Sequence, residues 1–194
     1  MMAFYSIETD SRIKIYFYSA VFASILSSTL LFFEQYIVYH TIAPSALMIF
    51  LGLITLYDKI LWKWHIFDNL TDIPNINGSW NGYLIRNNGK EKIPISLLIT
   101  QTWRKIDILL EGELTISETI SATMFVENRK MVRILWTYRV RSKTMLEKNN
   151  LYGEGVTDLR FSKNQDDTET LEGTYFSSKL RKGHISVVRV TVDC

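Results

Sequence analysis

From Gly78 onward the chain alternates apolar and polar residues, with clusters of Gly, Asn, Asp and Lys at close intervals between the alternating runs. A period of two marks half-buried strands, and the clusters mark the turns that separate them. The pattern predicts eight strands at approximately 78–86, 92–101, 103–112, 115–127, 131–141, 151–162, 168–177 and 184–192. The fifth is the clearest: Val132, Ile134, Trp136, Tyr138 and Val140 share one face, with Arg133, Leu135, Thr137, Arg139 and Arg141 on the other. Segments such as Asn87-Asn88-Gly89-Lys90 and Arg181-Lys182-Gly183 suit hairpins, and only residues 142–150 form a longer connection. No stretch in this half has a helical period, which argues against a parallel βαβ fold. Successive antiparallel strands in so short a chain close most simply into an all-β, eight-stranded up-and-down minimal β-barrel, a shape that removes exposed edges. Such a barrel is filled by side chains or holds one small ligand.

The N-terminal third follows a different pattern. Ile15 to Phe33 contains no charged residue and is bounded by Lys14 and Glu34. As a helix it reaches about the thickness of a bilayer's hydrocarbon core. A second uncharged run, Gln35 to Tyr57, follows at once, with Tyr36, Tyr39 and His40 suited to the headgroup zone and Pro44 inside. The two runs predict an N-terminal two-helix transmembrane hairpin. A cleaved signal peptide fits less well, because the first run is long, lacks a small-x-small cleavage site and is followed directly by the second. Arg12 and Lys14 precede the hairpin, Lys59 and Lys63 follow it, and the turn carries no Lys or Arg. By the positive-inside rule both ends face the cytoplasm.

Trp62 and Trp64 beside Lys59 and Lys63 suit the membrane interface. The organisation expected is a hairpin with its interfacial segment over 1–68, a polar linker over 69–77 and the barrel over 78–194. In the first helix Ser19, Ala23 and Ser27 form one row of small residues, and Ala20, Ser24 and Ser28 form another. Two uses are open: packing against the second helix of the same hairpin, and self-association between copies.

Composition narrows the chemistry. The 194 residues carry 22 basic and 20 acidic side chains, a net charge of +2 that gives no reason to expect a nucleic-acid polymer as partner. Cys194 is the single cysteine, and His40, His65 and His184 are scattered, so neither a disulfide framework nor a metal site is expected. There is no nucleophile elbow, Walker loop, dinucleotide fingerprint or HExxH motif, so the chain is not read as an enzyme. Recognition is better supplied. Trp80, Trp103, Trp136, Tyr83, Tyr138, Tyr152 and Tyr175 are interleaved with Arg86, Arg104, Arg139, Arg160 and Lys92. Aromatic faces stack on bases and guanidinium groups clamp phosphates, the two needs of a nucleotide-sized anion. For each of these residues singly, the competing role is core aromatic or solvated outer-face arginine.

Two short N-terminal spans, an interfacial Trp-rich stretch, a polar linker and a barrel opening on Gly78-Ser79-Trp80-Asn81-Gly82-Tyr83 resemble the membrane-anchored β-barrel effectors of CBASS, the cyclic-oligonucleotide anti-phage defence. The Gly-x-Trp opening is also similar to that of lipocalins, whose tryptophan plugs one barrel end. The CBASS resemblance covers nearly the whole chain and implies a multi-pass protein of the bacterial inner membrane with a cytoplasmic barrel. It implies that a partner nucleotidyltransferase makes a cyclic dinucleotide, that the barrel binds it without another cofactor, and that the protein forms homo-oligomers whose helices disrupt the lipid bilayer. Within that reading Trp80, Trp136, Tyr138 and Tyr175 are the expected interior or rim aromatics, and Arg104, Arg160 and Arg189 the expected phosphate contacts. A membrane-tethered lipocalin-like carrier of an apolar ligand and a protein-docking barrel stay open as alternatives.

Overall fold

The computed structural model describes residues 3–7, 11–34, 44–64, 73–86, 92–128, 131–143, 152–164 and 166–190. The chain divides into a helical unit within residues 9–72 and a barrel unit that joins the N-terminal segment to everything from Ile73 onward.

The helical unit contains α1 (Ser11–Glu34), α2 (Ala46–Lys59) and a single 3₁₀ turn, Leu61–Lys63. Within α1 the 22 residues Arg12–Phe33 are long and apolar enough to cross a membrane. Its large side chains, among them Phe17, Phe22, Leu31 and Phe33, are exposed, whereas Ile15, Ala23 and Ser27 are buried. That is the reverse of a helix built for water, which turns its large apolar residues inward. α2 begins at Ser45, whose hydroxyl accepts the Met48 N–H at 3.3 Å. Its 14 residues span about 21 Å, short of the hydrocarbon core. The start of the second uncharged run, residues 35–43, lies outside the described residues, as do 65–72. Among the described residues there are therefore two α-helices, and α1 alone of them has the length of a span.

The predicted eight strands are all found, as β2 (Gly78–Arg86), β3 (Lys92–Gln101), β4 (Lys105–Glu111), β5 (Thr115–Asn128), β6 (Met131–Ser142), β7 (Gly153–Lys163), β8 (Glu169–Ser177) and β9 (Lys182–Arg189). Each pairs antiparallel with the next, and β9 returns to β2, with Tyr83 opposite Ser186 and Arg86 opposite Gly183. Alternation places Leu97, Ile99, Ile106, Ile108, Ile134, Trp136, Leu159, Leu171 and Val187 inside, all nearly inaccessible. The outer face of β5, β6 and β7 carries ion pairs, Arg133 with Asp158 at 2.6 Å, Arg139 with Glu154 at 3.0 Å, and Arg141 with Glu118. Like most exposed pairs these add little stability. The Arg133 guanidinium holds the Asp158 carboxyl below the usual carboxylate range through its hydrogen bond.

One end of the barrel is closed. Residues 73–77, expected as linker, cap it: Ile73 and Ile76 are buried, and the Gln101 side chain accepts the Ile76 N–H at 3.0 Å and donates to the Pro74 carbonyl at 3.2 Å. Trp80 lies just above, its indole N–H donated to the Ile76 carbonyl at 3.1 Å and its ring edge-on to Phe161.

A ninth strand, β1 (Ala3–Ile7), was not expected. The β4–β5 ladder runs only from Leu109–Glu118 to Glu111–Ile116 before the strands part. At the split, Thr119 Oγ1 accepts the Ile108 N–H at 2.8 Å and donates to the Ile108 carbonyl at 3.0 Å, standing in for the lost ladder bonds. A register shift between Thr119 and Ser121 then moves the inward positions of β5 from Thr115 and Ser117 to Ala122 and Met124. β1 fills the gap, antiparallel to β4 at Ile106 and Lys105 and parallel to β5 at Ala122, Thr123 and Met124.

Candidate functional site

The opposite end of the barrel is open, and its cavity is built from inward positions of the strands around it. Leu84 and Arg86 come from β2, Leu110 from β4, Thr115 and Ser117 from β5, Tyr138 and Val140 from β6, Thr157 from β7, and Tyr175 and Ser177 from β8. The turn between β8 and β9 adds Ser178, Lys179 and Arg181, and Tyr152 stands at the start of β7. The empty space in the cavity and its mouth, open solvent included, is about 770 Å³.

Two tyrosines set its floor, and the strands opposite make room for them. Tyr138 faces Gly155 across the β6–β7 ladder, and Tyr175 faces Gly183 across the β8–β9 ladder. A Cβ on Gly155 would stand 2.4 Å from the Tyr138 hydroxyl, and one on Gly183 would stand 2.6 Å from the Tyr175 ring. Both rings are only 6% exposed, and Tyr138 leans on Trp136 beneath it with ring centres 5.0 Å apart. Burial, and then the neighbouring Tyr175, push the Tyr138 phenol up to about 12, with the Thr157 hydroxyl acting the other way. Tyr175 is raised by burial and drawn back by Arg86, which both attracts and hydrogen-bonds it, and by Arg181.

The charge of the cavity is one-sided. Arg86, Lys179 and Arg181 line it, and no carboxylate does among the described residues. At the rim Tyr152 is 56% exposed, and the Arg139 guanidinium, held by Glu154, lies 5.7 Å from its ring centre. Ser177 Oγ is buried without a hydrogen-bond partner among the described residues. Cations, open aromatic faces and an unmatched hydroxyl together suit an anionic ligand with flat rings.

The residues singled out in the sequence separate into three places. Tyr138 and Tyr175 line the cavity, and Trp136 supports it from below. Trp80, Arg104 and Arg189 belong to the closed end. Arg104 follows β3 in its turn to β4, while Arg189 packs its guanidinium 5.4 Å from the Trp80 ring centre, pairs with Glu169 and donates to the Asn77 carbonyl. Arg160 is exposed on the outer face, one position out of phase with the inward Leu159 and Phe161. The phosphate contacts expected at Arg104, Arg160 and Arg189 thus fall outside this cavity, whose cations are Arg86, Lys179 and Arg181. Arg86 was in reach of the sequence, since it keeps the inward parity of Trp80, Gly82 and Leu84. Lys179 and Arg181 sit in a turn, where no alternation tells which way a side chain faces.

In α1 the two small-residue rows also separate. Ala23 and Ser27 are buried, Ser19 is half-buried, and Ser27 Oγ donates to the Pro44 carbonyl at 3.4 Å, so this row packs within the helical unit. Ala20, Ser24 and Ser28 are exposed.

Residues 71–189 match the family model described as Cap15, cyclic dinucleotide receptor domain. The chain is 29% identical over 150 residues to CD-NTase-associated protein 15 of Yersinia aleksiciae, covering 75% of this chain and 70% of that protein. It is 26% identical over 135 residues to CD-NTase-associated protein 15 of Staphylococcus schleiferi, covering 69% and 71%. The resemblance to CBASS effectors and the matched receptor domain agree on the ligand class, a cyclic dinucleotide, that the charge and aromatics of the open mouth suit. With the match extending over well more than half of its length, this chain belongs to the Cap15 family, and its barrel is a cyclic dinucleotide receptor domain.

Proposed function

We propose that this protein is a membrane-anchored anti-phage effector that receives a cyclic dinucleotide, made by a partner nucleotidyltransferase, in the open mouth of its barrel. Arg86, Lys179 and Arg181 take the two phosphates, Tyr152 offers a stacking face at the rim, and Tyr138 and Tyr175 form the floor. The single observation that carries this placement is the cavity lining, which among the described residues has three cations and three tyrosines and no carboxylate. An apolar cargo is disfavoured by the same lining, because those cations gain nothing from an apolar partner.

The helical unit is the effector. Two spans are supported by the 19 uncharged residues of Ile15 to Phe33 and by the uncharged run from Gln35 to Tyr57, and the basic flanks favour a cytoplasmic side for both ends of this unit and for the barrel. The exposed row Ala20, Ser24 and Ser28 then meets other copies, so that ligand-driven homo-oligomers cluster their helices and disrupt the inner membrane. Ligand drives assembly only if it binds the assembled state more tightly. The chemistry is recognition and assembly, with no bond made or broken.

The test is a thermal-shift screen of the full-length protein in detergent against cyclic di- and trinucleotides, followed by size exclusion. A shift with one cyclic dinucleotide, together with growth in particle size, is the expected result. No shift with any of them in a folded protein would move the function to protein docking.

A further inference from the structure

The seam between β4 and β5 has the form of a strand-binding slot. The ladder between β2 and β3, by contrast, runs almost the full length of β2, from Gly78–Ile99 to Ile85–Lys92. Between β4 and β5 the ladder stops at Leu109–Glu118, the Thr119 hydroxyl ends it on Ile108, and the β5 irregularity turns the two strands apart. The backbone edges of Lys105–Ile106 and Ala122–Met124 are then satisfied by β1, a segment from the far end of the sequence. A vacant slot would leave two open β-edges, which bind any strand of suitable register.

β1 is also the least secured strand of the barrel. It holds β4 at two residue pairs and β5 at three, whereas β6 and β7 meet at nine. It is joined to α1 through residues 8–10 alone. The path from Ile7 to Ser11 covers at most about 14 Å. A strand with so few pairs can be taken up by a neighbouring copy at little cost, because the exchanged contacts are identical to those it leaves. Only three residues separate Ile7 from Ser11, so exchange joins copies that are close neighbours.

We propose that the β4–β5 seam is an interface between copies of this chain, which holds residues 3–7 of its own chain when the protein is dilute and residues 3–7 of a second copy when copies are crowded. The partner is a second Cap15 chain, and the contact is a parallel and antiparallel backbone ladder independent of the ligand in the mouth. Exchange links each sensing barrel to the membrane helix of its neighbour.

The test uses disulfide trapping in full-length protein carrying Cys194→Ser, which removes the natural thiol. Ser6 pairs with Thr123, so one population carries Ser6→Cys and the other Thr123→Cys, co-expressed in the same membranes and oxidised without added ligand. A covalent dimer of twice the monomer mass, absent when either variant is expressed alone at matched level, is the expected result. A chain carrying both substitutions should close within itself in dilute detergent. If the double variant closes internally while the co-expressed singles give no dimer, the slot binds only its own strand and the proposal fails. If neither closes, β1 does not occupy the seam and it fails as well. Phe4→Cys with Lys105→Cys reports the same exchange on the β4 side should the first pair disturb folding.

Discussion

Arg86→Gln removes one of the three cations of the mouth and leaves the barrel wall intact, because the side chain projects at the end of β2 and is exposed. A hydrogen bond from a charged donor contributes about 1.5–3 kcal/mol when the partner is left behind. Arg86 is open to solvent, so screening favours the lower half of that range. At 1.4 kcal/mol per tenfold, the expected loss of cyclic dinucleotide affinity is about 12–40-fold. The Tyr175 hydroxyl also loses its Arg86 partner, which loosens the floor in the same direction. The assay is calorimetric titration in detergent at two salt concentrations, with Arg160→Gln as the control. Arg160 faces outward, so its variant should bind within about twofold of the parent. The parent should also lose more affinity on added salt than Arg86→Gln does. An Arg86→Gln protein that binds within twofold of the parent, or an Arg160→Gln protein that matches its loss, would refute the placement of the phosphates.

Gly155→Ala should displace the Tyr138 ring and, with its Cβ 2.5 Å from the Phe176 carbonyl, strain the β7–β8 ladder, so it should weaken ligand binding by about tenfold and also lower the melting temperature, read by titration alongside circular dichroism; unchanged affinity in a folded variant would mean the ring is not part of the site. Ser24→Leu, on the exposed row of α1, should leave ligand affinity unchanged and reduce membrane leakage and toxicity, whereas Ala23→Leu, on the buried row, should lower expression by disturbing the hairpin itself. Because the Tyr138 phenol is raised above its unfolded value of about 10, its stabilising effect is complete below that pH and is lost as pH rises through about 12. Alkaline unfolding followed by ultraviolet absorbance should therefore start earlier in the Tyr138 protein than in Tyr138→Phe. Trp80→Ala should destabilise the barrel by about 3–5 kcal/mol in denaturant titrations, and ligand contacts at the far end should persist wherever the variant stays folded.

The eight antiparallel strands were legible because their alternation is carried by residue type, as in Val132 to Tyr138 against Arg133 to Arg141. β1 was not, because Ala3–Ile7 has no partner in its own neighbourhood and is ordered by a gap that Thr119 creates far along the sequence. The same irregularity reverses the phase of β5 halfway, which hides its inward face from a period-two reading. Tyr138 could be chosen from sequence because it shares a face with Val132, Ile134 and Trp136, but the glycines opposite Tyr138 and Tyr175 become meaningful only once the register is known. Arg189 has the composition expected of a phosphate contact. Its role became visible with Trp80, Glu169 and the Asn77 carbonyl around it. Alternation gives inside and outside but not which barrel end is plugged, and that is decided here by Ile73, Ile76 and Gln101.

The most direct measurement is a crystal or cryo-electron-microscopy structure of the full-length protein with the cyclic dinucleotide that stabilises it. Phosphate oxygens within about 3.5 Å of Arg86 and Arg181, with one base against Tyr152, are the predicted result. A nucleotide bound at the closed end beside Arg104 or Arg189, or on the outer face at Arg160, would contradict the account.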